Sequence, residues 1–244
     1  MNLFRRSPWW PVTLRDDSRA GSPSDAVILR PLTRADERDW LHLRALNAEW
    51  LGKWDATTPE IEPDGLVGPA VVVQAPRRGR PIGPVLRAPR FPEYVNILET
   101  AARDGSTLPF AIEIDGELVG QLTVSSITYG SLCSASIGYW VSEHVAGRGI
   151  TPTAVAMAAD YCFFELGLHR IEVNIRPENA PSLRVAEKLG LRDEGLRRGY
   201  LHIQGVWRDH RAFALTADEV PEGLLARWRA APRAGTGVLR HDAR

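Results

Sequence analysis

Apolar and polar positions alternate most cleanly between Leu108 and Ile114, where Leu108, Phe110, Ile112 and Ile114 share one side of a period-two pattern. Asp115-Gly116 follows as a two-residue hairpin turn, so Leu118–Thr128 is expected to return as the partner strand and Ser131–Ser142 as the next. Upstream, Val27–Pro31 reads as a first strand. Thr33 reads as the cap of a helix, with Glu37 one residue beyond the ideal capping-box spacing. Trp40, Leu41, Leu43 and Leu46 mark the apolar side of that helix, a second short helical piece carries Trp50 and Trp54, and Phe91–Asp104 is helical again. The pattern shows no second core for these N-terminal helices.

Beyond Ser142, strand and helix patterns interleave. Thr151-Pro152 opens a helix by the rule of a capping residue followed by proline, with Val155, Ala158, Ala159, Cys162 and Leu166 as its buried stripe and Gly167 as its end. Arg170–Arg176 is a strand, Ala180–Leu189 a helix capped by Gly190, Leu191–His202 and Val206–Leu215 a closing hairpin, and 217–230 a weak terminal helix. The expected fold class is α+β, with a mixed, mostly antiparallel central sheet flanked by helices. Residues 1–26 lack periodicity and read as an N-terminal arm, mobile or draped. Residues 59–90 form a Pro/Arg-rich insertion loop, either functional or poorly ordered, inside a domain spanning 27–231, and 232–244 read as a disordered tail.

Composition narrows the function classes. The 244 residues are 44% hydrophobic and 25% charged, which suits one globular domain with some extra sequence. Basic and acidic side chains balance at 30 each, so no overall field favours DNA, a membrane surface or an acidic substrate. Local charge remains in Arg77–Arg90, with five Arg and no acid, which is either a solvated loop or a contact for ribosomal or other RNA. Cys133, Cys162 and the six histidines show no metal-ligand spacing, so no metal is expected. Ser7–Pro11 is too short for a signal-peptide core and no apolar run approaches the ~18 residues of a membrane span, so a cytoplasmic location is expected.

The stretch Val141–Pro152 joins a strand to a helix through a turn containing Gly147 and Gly149. Such a turn aims free backbone N–H groups and the positive end of a helix dipole at an anion, and Arg148 adds a cation. A nucleotide P-loop needs Gly-Lys-Ser/Thr, and no lysine stands here; a dinucleotide fingerprint needs a third glycine where Pro152 stands. ATP and NAD are therefore disfavoured as the phosphate donor to this turn.

Ile137-Gly-Tyr-Trp-Val, Ala146-Gly-Arg-Gly-Ile-Thr, Leu168-His-Arg-Ile-Glu-Val, Arg176-Pro-Glu-Asn-Ala-Pro-Ser and Glu187-Lys-Leu-Gly-Leu, in that order, resemble the GNAT acetyltransferases. Within that superfamily they look like the group that acetylates the N-terminal alanine of ribosomal proteins. The resemblance implies acetyl-CoA as acetyl donor and a protein N-terminus, at the ribosome or free of it, as acceptor. A small amine such as a polyamine, antibiotic or amino acid is the alternative acceptor, and a non-catalytic acyl-CoA-binding module the alternative class. The family's phosphate signature, Gln/Arg-x-x-Gly-x-Gly/Ala, is met here by Ala146-x-x-Gly149-x-Thr151, which keeps only the central glycine.

By the same resemblance, residues 146–151 (Ala146, Gly147, Arg148, Gly149, Ile150, Thr151) cradle the pyrophosphate. The family splays two adjacent strands at the cofactor cleft beside this turn, and Trp140 and Val141 pair their main chain with the pantetheine arm, which inserts in the gap like another strand. Asn179 contacts the pantetheine, and Ser182, near the sulfur, is the first candidate to assist the leaving thiolate. Glu172 matches the glutamate that some members use as base, with an ion-paired structural glutamate as the other reading. Tyr200 and His202, two apart on the closing hairpin, are the remaining candidates, and Trp50, Trp54, Asp55 and Tyr139 are assigned to the acceptor pocket. An N-terminal amine, with an ordinary pKa near ~8, is partly neutral at physiological pH, so a strong base is optional for that acceptor class.

Overall fold

The computed structural model describes residues 10–17, 26–59, 71–73 and 85–231; residues 77–84 of the basic segment and the tail 232–244 lie outside them. The strands are β1 (Leu14–Asp16), β2 (Val27–Pro31), β3 (Val71–Val73), β4 (Val85–Arg87), β5 (Leu108–Ile114), β6 (Glu117–Thr128), β7 (Ser134–Val141), β8 (Arg170–Ile175), β9 (Arg192–Ile203) and β10 (Val206–Thr216). The helices are α1 (Glu37–Leu46), α2 (Ala48–Gly52), α3 (Phe91–Arg103), α4 (Ile150–Asp160), α5 (Ala180–Leu189) and α6 (Leu224–Ala230). Eight strands form one sheet in the order β1-β2-β5-β6-β7-β8-β10-β9, with β7 and β8 parallel and the other neighbours antiparallel. The α+β expectation is met. Within the insertion, β3 and β4 pair as a separate two-stranded ribbon.

The Asp115-Gly116 turn has positive φ at both residues, 56° and 79°, and joins Ile114 to its partner Glu117. Phe110, Ile112 and Val124 pack in the larger apolar cluster, which takes in α4. Ala111 and Leu118 project into a second cluster with Leu32, Trp40, Leu43, Phe91, Val95 and Leu98. The N-terminal helices α1 and α3 thus do have a core of their own, contrary to the sequence reading. The period-two signal hid it because the inward residues on that side of β5 include Ala111, too small to register as an apolar position.

Other elements differ in detail. Asp36, not Glu37, closes the capping box: its Oδ2 accepts from the backbone N–H of Thr33 at 2.7 Å. Trp40 and Leu43 are buried, but Leu41 and Leu46 face solvent, so the apolar side of α1 is narrower than its sequence implies. Helix α4 starts at Ile150, with Gly149 as N-cap, and Ile150–Ala159 are all buried; the expected single stripe is a helix enclosed on every side. It runs into a π-helical turn, Tyr161–Glu165. Strand β7 begins at Ser134 rather than Ser131. Of the N-terminal arm, Leu14–Asp16 adds an edge strand to β2, Trp10 meets Phe110 edge-on at 5.2 Å, and buried Asp16 pairs with Arg229 of α6. The C-terminal stretch is a short turn at Ala217–Glu219 followed by α6, whose first amides, of Leu224 and Leu225, donate to Asp160 at the end of α4.

Candidate active site

Strands β7 and β8 pair over three positions only, Ser134 with Arg170, Ala135 with Ile171 and Ser136 with Glu172. Beyond Ser136 the two strands separate, while β7 stays paired to β6 as far as Val141 and β8 to β10 as far as Ile175. Main-chain groups on the facing edges of Ile137–Val141 and Val173–Ile175 are therefore left without a strand neighbour. The α4–α5 side of the splay opens into a cleft of about 270 Å³ lined by Trp50, Trp54, Tyr139, Trp140, Ser182 and the 145–152 turn. A smaller chamber of about 160 Å³ lies in the splay itself, toward the β9–β10 hairpin. The two share Trp54, Ala56, Tyr139, Asn179 and Ser182.

The turn between β7 and α4 sorts its amides. Ala146 N–H donates to Glu143 O at 2.9 Å and Arg148 N–H to Val145 O at 3.4 Å, so these two are spent inside the turn. The N–H groups of Gly147, Gly149, Ile150 and Thr151 have no acceptor among the described residues. Gly149 stands at φ 77°, a left-handed conformation that glycine adopts without strain, and this turns the first amides of α4 toward the cleft. A helix N-terminus with free donors favours an anion, and α4 has 11 residues to supply the dipole. Of the six residues expected to cradle phosphate, four retain a free amide. Ala146 can contribute contact only, and Arg148 is absent from the cleft lining.

The turn is anchored from α2. Asn47, buried at the α1–α2 junction, accepts from Glu143 N–H through Oδ1 at 2.8 Å and donates through Nδ2 to Ser142 Oγ at 2.8 Å. Trp50 Nε1 donates to Val141 O at 3.2 Å, so one of the two main-chain partners assigned to the pantetheine already carries an indole on its carbonyl. Lys53 and Arg176 lie against the Trp54 ring at 5.4 and 5.2 Å, and Arg176 Nη1 donates to Lys53 O at 2.8 Å. Asp55 is held by Arg44, which also stacks on Trp140 at 5.4 Å; burial raises the Asp55 carboxyl above the usual range against the pull of Arg44. Trp50, Trp54, Asp55 and Tyr139, assigned to the acceptor pocket, all line the cleft that the 145–152 turn also borders.

At the mouth of the splay, Asn179 accepts from Ser182 N–H at 3.2 Å and so caps α5 with its side chain, leaving the Ser182 hydroxyl on the cleft wall. The Tyr139 hydroxyl is buried and lies toward Ser182 without making a hydrogen bond of ordinary geometry. Burial pushes it up to about 12, with Ser182 pulling weakly the other way, so it stays a proton donor through the neutral range.

The remaining candidates are not assembled into one site. Glu172 sits at the last paired position of β8 and gives one oxygen to Arg170 Nε at 2.9 Å and the other to Arg197 Nη2 at 2.7 Å. Burial would raise its pKa, but the two guanidiniums outweigh burial and hold the carboxyl below its ordinary range. That is the ion-paired structural reading, and it leaves a weak base. Tyr200 and His202 do not share surroundings, because the β9–β10 register shifts between Arg208 and His210. Tyr200 OH accepts from Arg197 at 3.2 Å and its ring meets His210, whereas His202 Nδ1 bonds Thr57 Oγ1 at 2.8 Å and its ring meets Trp207. His202 thereby clasps the 55–57 segment to the hairpin.

Residues 26–192 match the acetyltransferase (GNAT) domain family. The chain belongs to the GNAT acetyltransferases. Among solved structures, it is similar to Mycobacterium smegmatis RimJ in complex with CoA-disulfide, at 35% identity and a TM-score of 0.72 over 91% of this chain and 95% of that one. Among curated proteins, it is 43% identical to the probable N-acetyltransferase YjcK of Bacillus subtilis over 41% of this chain and 56% of the relative. It is 33% identical to the [ribosomal protein uS5]-alanine N-acetyltransferase of Escherichia coli over 44% and 55%. The matched stretch spans a little over half the length of these curated relatives. In this GNAT fold the splay is the break between β7 and β8, and the anion-facing turn is the start of α4.

Sequence reasoning missed three residues that the fold brings to the site. Gln121, buried on β6, accepts from Trp40 Nε1 at 2.9 Å and donates to Tyr94 OH at 2.7 Å, fixing the aromatic wall behind Trp140. Asn174 on β8 and His210 on β10 line the splay chamber. A polar residue inside an apolar strand pattern was the available signal for Gln121; Asn174 lies on the polar face of β8 and His210 on the Ala212 side of β10, and only the β8–β10 pairing brings the two to the splay. Among the described residues no group of His, Cys, Asp and Glu could hold a metal, and no helix is long and apolar enough to cross a membrane.

Proposed function

We propose that this GNAT protein transfers an acetyl group from acetyl-CoA to a primary amine, and that the amine is the N-terminal alanine of a ribosomal protein. One observation carries the transfer: β7 and β8 part beyond Ser136 and Glu172, next to the four free amides at Gly147, Gly149, Ile150 and Thr151. The free amides suit a pyrophosphate, and the unpaired edge of β7 suits an extended amide-bearing arm that ends at Tyr139 and Ser182. A strand amide there polarises the thioester carbonyl, where donors matter most because they need no reorganisation as charge develops. The amine attacks directly; its nitrogen bonds the carbonyl carbon and releases one proton to water, the carbon–sulfur bond breaks, and the Ser182 hydroxyl hydrogen-bonds the departing thiolate. Similarity to the uS5-alanine enzyme supports the acceptor.

The test has two parts. Calorimetry with acetyl-CoA should give saturable binding, lost when Gly149 and Thr151 are replaced by residues that close the turn. Intact-mass and N-terminal analysis of cellular proteins, with and without the enzyme, should show a one-acetyl shift on a ribosomal protein. Unchanged proteins alongside an acetylated metabolite would overturn the acceptor assignment.

A further inference from the structure

His210 is 3% exposed and sits where the β9–β10 register shifts, Arg208 facing Leu201 but His210 facing Arg197. Asp209 holds the irregularity by accepting from Gly199 N–H at 2.7 Å. The extra residues stand on β9, so β10 keeps its alternation, and His210, on the same side as Ala212, which pairs with Asn174 of β8, lines the splay chamber together with Tyr139 and Ser182. Its Nδ1 lies 3.2 Å from Arg208 O. A carbonyl only accepts, so Nδ1 bears the hydrogen and the neutral ring keeps Nε2 as an acceptor.

Two buried polar atoms at this chamber lack a hydrogen-bond partner, the Tyr139 hydroxyl and Asn174 Oδ1. Buried polar atoms are rarely left unsatisfied, and a partner is usually water or ligand. At ~30 Å³ per molecule, about 160 Å³ has room for on the order of five waters. Asn174 and Tyr139 supply a donor–acceptor path between the mouth at Ser182 and the histidine.

We propose that the splay chamber is the proton exit of the reaction, with water held on Tyr139 and Asn174 passing the amine's proton to Nε2 of His210. The proposal rests on acetyl transfer taking place at the Ser182 mouth. As the carbon–nitrogen bond forms, the thioester carbonyl becomes an alkoxide and the nitrogen an ammonium. The ammonium releases its proton to water and thence to His210. The carbonyl re-forms as the carbon–sulfur bond breaks, the thiolate is protonated from solvent, and His210 returns its proton to bulk. Burial places His210 below the ordinary histidine value of 6.5, with Arg176 adding to that and the Arg208 carbonyl, Glu178 and Asp209 opposing it; Tyr200 packs on the ring, backed by Arg197. The ring is thus neutral and receptive near pH 7.

The test uses the full chain with acetyl-CoA and two amine probes, a peptide with N-terminal alanine and spermidine. His210→Gln should lower kcat on the order of a hundredfold, leave acetyl-CoA binding by calorimetry unchanged, and erase the acidic limb of the kcat profile. His210→Ala should recover activity with added imidazole, which a purely structural role would not allow. If the His210 variants fail to fold, Asn174→Leu should still lower kcat about tenfold by interrupting the path, without imidazole rescue. Wild-type kcat and an unmoved acidic limb in His210→Gln, or wild-type kcat in Asn174→Leu, would overturn the proposal. Acetylation of spermidine but not the peptide would overturn the acceptor assignment alone, and the His210 comparison is then run on spermidine. No acetylation of either amine would overturn both.

Discussion

Asn47 Oδ1 accepts the Glu143 amide at 2.8 Å, so a buried carboxamide at the α1–α2 junction fixes the first turn residue after β7. Its Nδ2 donates both to Leu43 O and to Ser142 Oγ, each at 2.8 Å, which leaves the carboxamide fully engaged. Replacing it strands the Glu143 amide, while Ser142 Oγ keeps His144 Nδ1 and Leu43 O keeps the Asn47 amide, and an unsatisfied group of this kind costs about 1–3 kcal/mol. Asn47→Ala should therefore destabilise the protein by about 1–3 kcal/mol in urea denaturation and weaken acetyl-CoA binding severalfold, because the turn carrying the free amides loses its anchor. Unchanged stability and affinity would show that the turn holds its shape alone.

Gly120 faces Val141 across β6 and β7, and a methyl built on it would fall 2.3 Å from the Trp140 carbonyl oxygen. That contact is with backbone, so no side chain can swing away. Gly120→Ala should cost about 2–3 kcal/mol by overpacking and, by pushing β7 into the splay, reduce acetyl-CoA affinity in calorimetry. Gly138, on β7 itself, has open space around a built methyl, so Gly138→Ala should change stability by less than about 1 kcal/mol. Equal effects of the two would refute the close-approach account.

Hairpin pairing and helix ends were legible where a local rule had no competitor: Asp115-Gly116 makes its hairpin and Ala180–Leu189 its capped helix with the expected bounds. Thr151-Pro152 misled because Gly149 can take the left-handed cap conformation two residues earlier, and backbone geometry there outweighs the Thr-Pro preference. The splay could be expected from the family resemblance alone, since the parting of β7 from β8 depends on tertiary pairing, which leaves no period in either strand. Glu172 illustrates the limit for charges. Its partner Arg197 is 25 residues away, and only the β8–β10–β9 order brings the two within hydrogen-bond reach.

That pairing makes Glu172 a stability group. Its carboxyl is held below the unfolded value by Arg170 and Arg197 against the opposing effect of burial, so the unfolded chain binds the proton more readily. The contribution is present above about pH 4.3, the unfolded glutamate value, and is lost as pH falls through the lower folded value. Glu172→Gln should cost on the order of 1 kcal/mol at pH 7, the pair being partly solvent-screened, and the difference from wild type should shrink in acid. Since both oxygens are occupied, kcat and its pH profile should stay near wild type; a large loss of kcat would restore Glu172 as the base.

Tyr139 separates the hydroxyl's part in the water path from the ring's part in packing. Its hydroxyl is buried at the splay with no protein hydrogen bond of ordinary geometry, so water is its partner there. Tyr139→Phe keeps the ring and removes only that contact, so stability should stay within about 1 kcal/mol of wild type, a Tm change of no more than roughly 2–4 °C for a chain of this size. Turnover should fall at least tenfold with acetyl-CoA affinity retained, since the strand edge and the free amides are untouched. Calorimetric unfolding read beside steady-state kinetics checks both halves. Wild-type turnover in the variant would mean that the hydroxyl holds no water on the path of the amine's proton.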